Sequence, residues 1–319
     1  MRKRPILTLT MNPAVDVSSS IPALEPFEKL RCEDVWHHPG GGGINVSRVI
    51  ERLGAETIAV FPCGGAMGML LKHLLADEGV RHLPVAISGD TREDFSISET
   101  ATGKQFRFIL PGPVLSQAEI RKCLDTIVSR LRPGSFLVAS GSLPPGAPVD
   151  FYAELAEITV SAGARLVLDT SGAPLRAAVD RGGLFLIKPS QSELNELAGK
   201  PASNEEARIR AARQIVSSRR VEFVCVSLGA DGALLVGGGC VLKARAPRVD
   251  VKTTIGAGDS FLAALVWAFA RRATPSEALR IAVAAGTAAL LAPGTGLCTL
   301  ADMQALKAQI HVEQLELAQ

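Results

Sequence analysis

"LFLIKPSQSELNELAG" runs from Leu184 to Gly199. Leu184 to Ile187 are four apolar residues in succession, with no polar residue between them. A strand that reads this way is covered on both faces, as strands of parallel sheets are. Gln191 to Gly199 then carries a helical pattern, closed by a glycine. Between the two lies a corner holding Lys188 and Glu193.

The same strand-to-helix rhythm extends in both directions. "ILTLTM" (Ile6–Met11) reads as a buried strand. "GINVSRVIERLG" (Gly43–Gly54) reads as a helix whose apolar face is Ile44, Val46, Val49, Ile50 and Leu53. "TIAVFPCG" is a strand, "GMLLKHLLADEG" a helix ending at Gly79, "SFLVASGS" a strand, "VDFYAELAEITVSAG" a helix and "RLVLDTSG" a strand. "FVCVSLG" is a strand, and "GALLVGGGC" the first arm of a hairpin. Such alternation predicts an α/β protein with a mostly parallel sheet covered on both sides.

Two segments break the rhythm, Val15–His38 and Thr91–Gly112. Both are more polar, and Phe106, Phe108 and Leu110 alternate with other residues. "ATGKQ" has the composition of a hairpin turn. These segments predict a small antiparallel sheet, split in sequence and joined in space. It would cover the C-terminal strand ends, where open α/β sheets bind ligands. With no linker or repeat evident, the expectation is one core domain over residues 1–319 with lid segments at about 15–38 and 91–112.

Composition narrows the function classes. Of 319 residues, 47% are hydrophobic but only 4% aromatic, so the core must be built mainly from Ala, Val, Leu and Ile. A formal charge of +2 without long single-sign runs gives no reason to expect nucleic acid or an anionic membrane as a partner. Any anionic ligand must then be held by a local site. Six cysteines without a C-x-x-C pair argue for reduced thiols in a cytoplasmic protein. The start of the chain has too short an apolar segment for a signal peptide, and "FLAALVWAFA" and "IAVAAGTAALLA" fall short of a membrane span.

Several short stretches carry chemistry. "PGGGGINVSR" (Pro39–Arg48) places four glycines before a helix, where backbone N–H groups can approach a ligand and the helix end favours anions. It is not the G-x-G-x-x-G dinucleotide pattern, and no G-x-x-x-x-G-K-[ST] loop occurs. "TMNPAVD" puts Asp16 just past a strand, able to accept from sugar hydroxyls, although a turn-capping Asp is the commoner explanation for such a stretch alone. "SGSLPPG" (Ser140–Gly146) also follows a strand and suits a rigid ligand loop. At the "IKPSQSE" corner Lys188 could meet a phosphate and Glu193 could serve Mg²⁺; Glu193 also suits a helix's first turn.

"TTIGAGDSF" is the strongest of these stretches. Gly256, Ala257 and Gly258 would offer backbone N–H groups at the start of an apolar helix, forming an anion hole. Asp259 would sit beside that hole, within reach of an attacking hydroxyl. An acid at a helix start is ordinary by itself; the glycines, the lysine corner and the lid make it a candidate base.

In this order, "GGGGIN", "SGSLPPG", "KPSQSE", "SLGADGALL" and "TIGAGDSF" resemble the PfkB family of carbohydrate kinases, of the ribokinase-like superfamily. The likeness covers nearly the whole chain, from "LTLTMNPAVD" to "APGTGLC". With "EKLRC", "PGGGGIN" and "QFRFILPG" it is greatest to the minor 6-phosphofructokinases. The 1-phosphofructokinases and tagatose-6-phosphate kinases usually have a lysine within the glycine run, which this chain lacks.

The resemblance implies a three-layer ribokinase-like sandwich with a β-sheet lid, and ATP-dependent phosphorylation of the 1-hydroxyl of fructose 6-phosphate. By position, Asp259 matches the family's catalytic base and Gly256, Ala257 and Gly258 its anion hole. Asp16, Gly42, Gly43 and Asn45 match groups that hold the sugar. Arg92, Ser142 and Lys29, the last from a neighbouring subunit, match residues at the substrate's phosphorylated end. Lys188, Ser190, Ser227, Gly229, Val283 and Thr287 match the nucleotide site, and Glu193 the acid linked to Mg²⁺. Thr253, Ile255, Ala289, Ala292, Gly294 and Gly296 match a monovalent-cation site that would take K⁺. The family usually reads K-P-N-x-x-E, and here Ser190 replaces the Asn with a shorter side chain that has no amide donor. Lid edges that need covering predict a homodimer or larger assembly. A kinase for a different acceptor (fructose 1-phosphate, tagatose 6-phosphate or an unphosphorylated sugar) and an inactive sugar-phosphate-binding regulator are the rival readings.

Overall fold

The computed structural model describes residues 5–218, 220–292 and 296–315. The chain opens with strands β1 (Ile6–Leu9), β2 (Ala14–Ile21) and β3 (Glu33–Gly40), then helix α1 (Gly42–Arg52). Next come β4 (Thr57–Cys63), α2 (Gly65–Asp77), β5 (His82–Ala86), β6 (Arg92–Glu99), β7 (Gln105–Ile109) and α3 (Gln117–Arg130). The central part is β8 (Phe136–Ser140), α4 (Phe151–Ser161), β9 (Arg165–Asp169), α5 (Gly172–Arg181), β10 (Leu184–Ile187), α6 (Gln191–Ala198) and α7 (Glu205–Ser217). It ends with β11 (Val221–Ser227), β12 (Ala233–Gly237), β13 (Cys240–Ala244), α8 (Ala257–Ala270), α9 (Pro275–Ala289), α10 (Leu300–Lys307) and β14 (Val312–Gln314).

Ten strands form one sheet in the order β14-β13-β12-β11-β10-β9-β8-β1-β4-β5. Every pairing from β5 to β11 is parallel, and β11 to β14 pair antiparallel. The strand pleat explains why the predicted runs are apolar throughout. In β9, Val167 points into the core shared with α1, α8 and α9, while Leu166 and Leu168 point into the core beneath α3, α4 and α5. Both faces are dry, so neither parity of the strand can be polar.

The second sheet has the order β3-β2-β6-β7 and is built from the two segments that break the rhythm. It departs from the expected antiparallel sheet: β2 and β6 run parallel from Ala14↔Arg92 to Ile21↔Glu99. Each sequence segment supplies one antiparallel pair, and the two pairs join through strands that both leave the large sheet in the same direction. The pairing puts Asp16 beside Asp94 and His38 in one row across the sheet.

Helix α1 begins at Gly42, one residue before the predicted start. Helices α3, α5, α7, α9 and α10 add to those read from the sequence. Four of them, α3, α7, α9 and α10, start with side-chain caps from Ser116, Asn204, Thr274 and Thr299. No described helix is long and apolar enough to cross a membrane.

Candidate active site

Helix α8 is apolar all round, and Leu262, Ala263, Ala264, Leu265 and Val266 are fully buried. That anchors its N-terminus, which opens on a cleft. Gly256 is the N-cap at φ 75°, a left-handed conformation that favours glycine. A Cβ there would also come within 2.5 Å of Leu297 Cδ2. Ala257, Gly258 and Asp259 fill the first turn, so their N–H groups have no partner within the helix, and no side chain caps them. The structure thus places the three predicted anion-hole residues together, with Asp259 at the third helical position.

Asp259 is half-buried. Burial pushes its carboxyl up to about 6, and nearby Asp169 adds to this against the Asn45 hydrogen bond and the charges of Lys188 and Arg107. Asn45 Nδ2 donates to Asp259 Oδ2 at 2.9 Å. The predicted sugar-holding amide and the predicted base are therefore direct partners, 214 residues apart in sequence.

Asp259 faces a polar cavity of about 440 Å³, also lined by Asp16, Gly42, Asn45, Arg92 and Ser142. The glycine run is tightly packed rather than a flexible turn. A Cβ on Gly42 would meet Ser140 Oγ at 2.3 Å, and one on Gly43 would meet the Leu9 carbonyl oxygen at 2.5 Å. Gly43 accordingly lies behind the cavity, while Gly42 lines it. Burial and Asp94 push the Asp16 carboxyl up to about 6, against Arg107, Arg48 and Arg92.

At the lid end, Arg92 donates through Nη1 to Asp94 Oδ1 at 2.6 Å and to the Leu110 carbonyl at 2.9 Å. Its Nη2 donates to the Asn12 carbonyl at 3.2 Å, while its Nε is buried without a partner among the described residues. Asn12 Nδ2 donates to Ser142 Oγ at 3.2 Å, leaving the Ser142 hydroxyl proton available to a ligand. Arg107 of β7 also lines the cavity and has no ion-pair partner among the described residues. Sequence reasoning missed Arg107, Asp94 and Asp169. The signal for Arg107 was present: if Phe106 and Phe108 share one face of a strand, residue 107 takes the other.

Lys188 stands at the C-terminal end of β10, paired with Asp169 at 3.1 Å. Burial disfavours its charge, but Asp169, Asp259 and Glu193 outweigh this and raise its pKa. It lines both the polar cavity and a second, mainly apolar cavity of about 640 Å³. Ser227, Gly229, Val283 and Thr287 all line this second space, with Phe261 and Leu290. The predicted nucleotide residues thus converge, apart from Ser190. Its hydroxyl caps α6, accepting from Glu193 N at 3.3 Å, while Glu193 Oε2 accepts from Ser190 N at 2.7 Å. Ser190 lines neither cavity, because α6 uses its side chain as a cap; Glu193 caps the helix and also lines the polar cavity.

The loop holding Thr253 and Ile255 runs beside the end of α9, where Leu290 O accepts from Lys252 N at 2.8 Å and from Thr253 N at 3.4 Å. A Cβ on Gly256 would lie 3.5 Å from the Gly296 carbonyl oxygen, so this segment joins the same place. Ala289 and Ala292 lie at the same helix end, and Gly294 falls outside the described residues. The described members of this set, Thr253, Ile255, Ala289, Ala292 and Gly296, carry no charged side chain. Among the described residues no three His, Cys, Asp or Glu side chains group as a metal site. Glu193 fits Mg²⁺ in another way, since that ion is usually held by one or two carboxylates plus substrate phosphates. Lys29 lies in the exposed stretch between β2 and β3 and lines neither cavity of its own chain.

Comparison with known proteins gives the same picture. The chain is 41% identical over 299 residues to ATP-dependent 6-phosphofructokinase isozyme 2 of Mycobacterium tuberculosis, covering 94% of this chain and 88% of that one. The crystal structure of phosphofructokinase-2 from Escherichia coli in complex with potassium superposes with TM-score 0.93 at 39% identity, covering 96% and 99% of the two chains. The same protein in complex with fructose-6-phosphate gives 0.91 at 38%, with the same coverage. The sequence profile of the pfkB family carbohydrate kinases matches residues 1–302, and with the two-cavity site at the head of α8 this chain belongs to that family.

Proposed function

We propose that the protein transfers the γ-phosphoryl group of ATP to the 1-hydroxyl of fructose 6-phosphate, giving fructose 1,6-bisphosphate and ADP. One observation carries the reading: a polar cavity and an apolar cavity meet at Lys188, Thr254 and Gly258, in front of the uncapped α8 N-terminus. The apolar cavity suits an adenine between Phe261, Val283 and Leu290. The polar one has a carboxylate at the inner end and guanidinium groups at the lid end, as a sugar with one phosphate requires. The names of the relatives, and the fructose-6-phosphate bound by the E. coli protein, support the acceptor.

In the proposed step Asp259 takes the proton of the sugar 1-hydroxyl as its oxygen attacks the γ-phosphorus. The new P–O bond forms as the bond to the β-phosphate oxygen breaks, and ADP leaves with that electron pair. Phosphoryl transfer needs positioning and charge stabilisation above all. The Ala257, Gly258 and Asp259 N–H groups face the charge on the transferring group, and Lys188 lies beside them. Glu193 would hold Mg²⁺, which would supply charge neutralisation on the phosphates, and the loop beside α9 would hold K⁺ next to the α8 N-terminus. Arg92 and Arg107 grip the substrate's phosphate, a task suited to the planar guanidinium fork.

The lid supports a homodimer. Trp36, Val35, Ile109 and Phe108 are 63%, 57%, 56% and 47% exposed, and β3 and β7 are open edges. Lys29 would then serve the partner's cavity. An ADP-release assay with Mg²⁺ across fructose 6-phosphate, fructose 1-phosphate, tagatose 6-phosphate and fructose, with and without K⁺, tests the assignment. Highest kcat/KM on fructose 6-phosphate is expected. A different preferred acceptor would overturn the substrate, and no turnover on any would favour a binding regulator.

A further inference from the structure

An amide beside a carboxylate helps or harms it according to which end faces it. The N–H₂ end stabilises the ionised form and the carbonyl end repels it. Asn45 presents Nδ2 to Asp259, and something must hold it that way round. Arg48, one turn further along α1, donates from Nη1 to Asn45 Oδ1 at 3.1 Å. A guanidinium has donors only, so it can donate to the carbonyl end of the amide and cannot pair with the N–H₂ end.

Arg48 is itself fixed on every side. Its Nε and Nη2 donate to Glu78 Oε2 and Oε1 at 2.8 and 2.5 Å, a two-pronged pair at the end of α2. Its Nη1 also donates to the Pro39 carbonyl at 3.1 Å, where lid strand β3 runs into the glycine turn. The residue is only 3% exposed.

We propose that Arg48 is a positioning residue for phosphoryl transfer, locking the Asn45 amide in the orientation that donates to Asp259. This rests on Asp259 acting as the base. The charged groups around the base are Asp169 at the end of β9, Lys188 after β10 and Arg107 on β7. Those around Arg48 are Glu78, Arg52, His38 and Asp16; burial, with Arg48 beside it, holds the His38 ring below its ordinary pKa, and Arg48 acts directly to lower the Asp16 carboxyl. Arg48 is not among the charges that act most on Asp259, and its hydrogen bond to Asn45 is its link to that carboxylate. Arg52 already reaches Glu78 Oε2 at 3.5 Å and can hold that carboxylate when Arg48 is removed.

The test is the pH dependence of kcat/KM from pH 5 to 9 in Arg48→Met/Glu78→Gln, which leaves no lone buried carboxylate. With the lock gone the amide can turn its carbonyl to Asp259, so the acid limb should move alkaline by about half a pH unit or more, roughly a threefold further loss on that limb. Asn45→Ala should show a shift of the same sign, and adding the Arg48 change to it should shift the limb no further. A purely structural ion pair would lower Tm and leave the limb in place; that result in the folded double variant overturns the proposal, as does an additive shift. Should the double variant not fold, Arg48→Lys replaces it, because one ammonium drawn to Glu78 cannot also hold Asn45. An unmoved limb there also overturns the proposal. Wild-type turnover in Asp259→Asn would instead sink the base assignment itself.

Discussion

Gly258→Ala separates the stability of α8 from its proposed role. Gly258 is the second residue of the helix and needs no left-handed conformation. The atom nearest to an added Cβ is Lys188 Nζ at 3.8 Å, an ordinary contact. Nothing in the fold resists the methyl group. Alanine is favoured over glycine in helices by about 0.5–1 kcal/mol, which corresponds to a Tm higher by roughly 1–4 °C in a chain of this size. Gly258 lines both cavities, so the same methyl enters the space where, in the proposed reaction, the transferred phosphoryl group would meet the helix N–H groups. Displacing that group from even one donor costs about 10²–10³ in kcat, judged from single oxyanion donors elsewhere. Thermal unfolding of the ligand-free protein and saturation kinetics on fructose 6-phosphate read the two effects separately. A variant that is as stable as wild type and retains kcat within threefold would refute the assignment of this helix turn as the anion hole.

Other perturbations probe the rest of the site. Asp259→Asn should lower kcat by ~10²–10⁴. Because burial raises Asp259 to about 6 and the ionised form is the proposed base, kcat/KM should fall as pH drops through about 6, rather than near pH 4; Asp16, also raised to about 6, would steepen that fall. Arg92→Ala removes charge-assisted contacts worth about 1.5–3 kcal/mol, so the KM for fructose 6-phosphate should rise roughly 10–150-fold with the ATP KM nearly unchanged. Equal losses for both substrates would count against a phosphate-end role. Trp36→Glu puts a charge on the exposed lid and should convert a dimer to monomers in sedimentation velocity; an unchanged mass would place the interface elsewhere.

The strands around Leu184–Ile187 were legible because burial on both faces leaves a run of apolar residues that no helix of that length would need. The lid was legible by contrast, since a sheet with one open face alternates. What the pattern could not carry was the parallel joining of β2 to β6, because strand pairing between distant segments leaves no periodicity in either one. The site divides in the same way. Asp259 and its glycines announce themselves, because a helix end that binds an anion must have small residues and an uncapped first turn next to each other in sequence. Glu193 reads equally as a helix-start acid and as a ligand, and only coordinates show the Ser190 hydroxyl bound up in the helix end and the Glu193 carboxylate also facing the cavity.

By itself, then, the sequence determined the layers, the glycine-rich helix starts and the acid beside one of them, since each depends on residues within a turn or a strand of one another. Tertiary structure alone decided that Asn45 meets Asp259, that Asp169 pairs with Lys188, and that Arg92 and Arg107 face one cavity from two lid strands. Those contacts join residues up to 214 positions apart, and they are set by the register of two sheets rather than by any local preference. The raised pKa of Asp259 belongs with them, because desolvation depends on which distant segments close over the carboxylate.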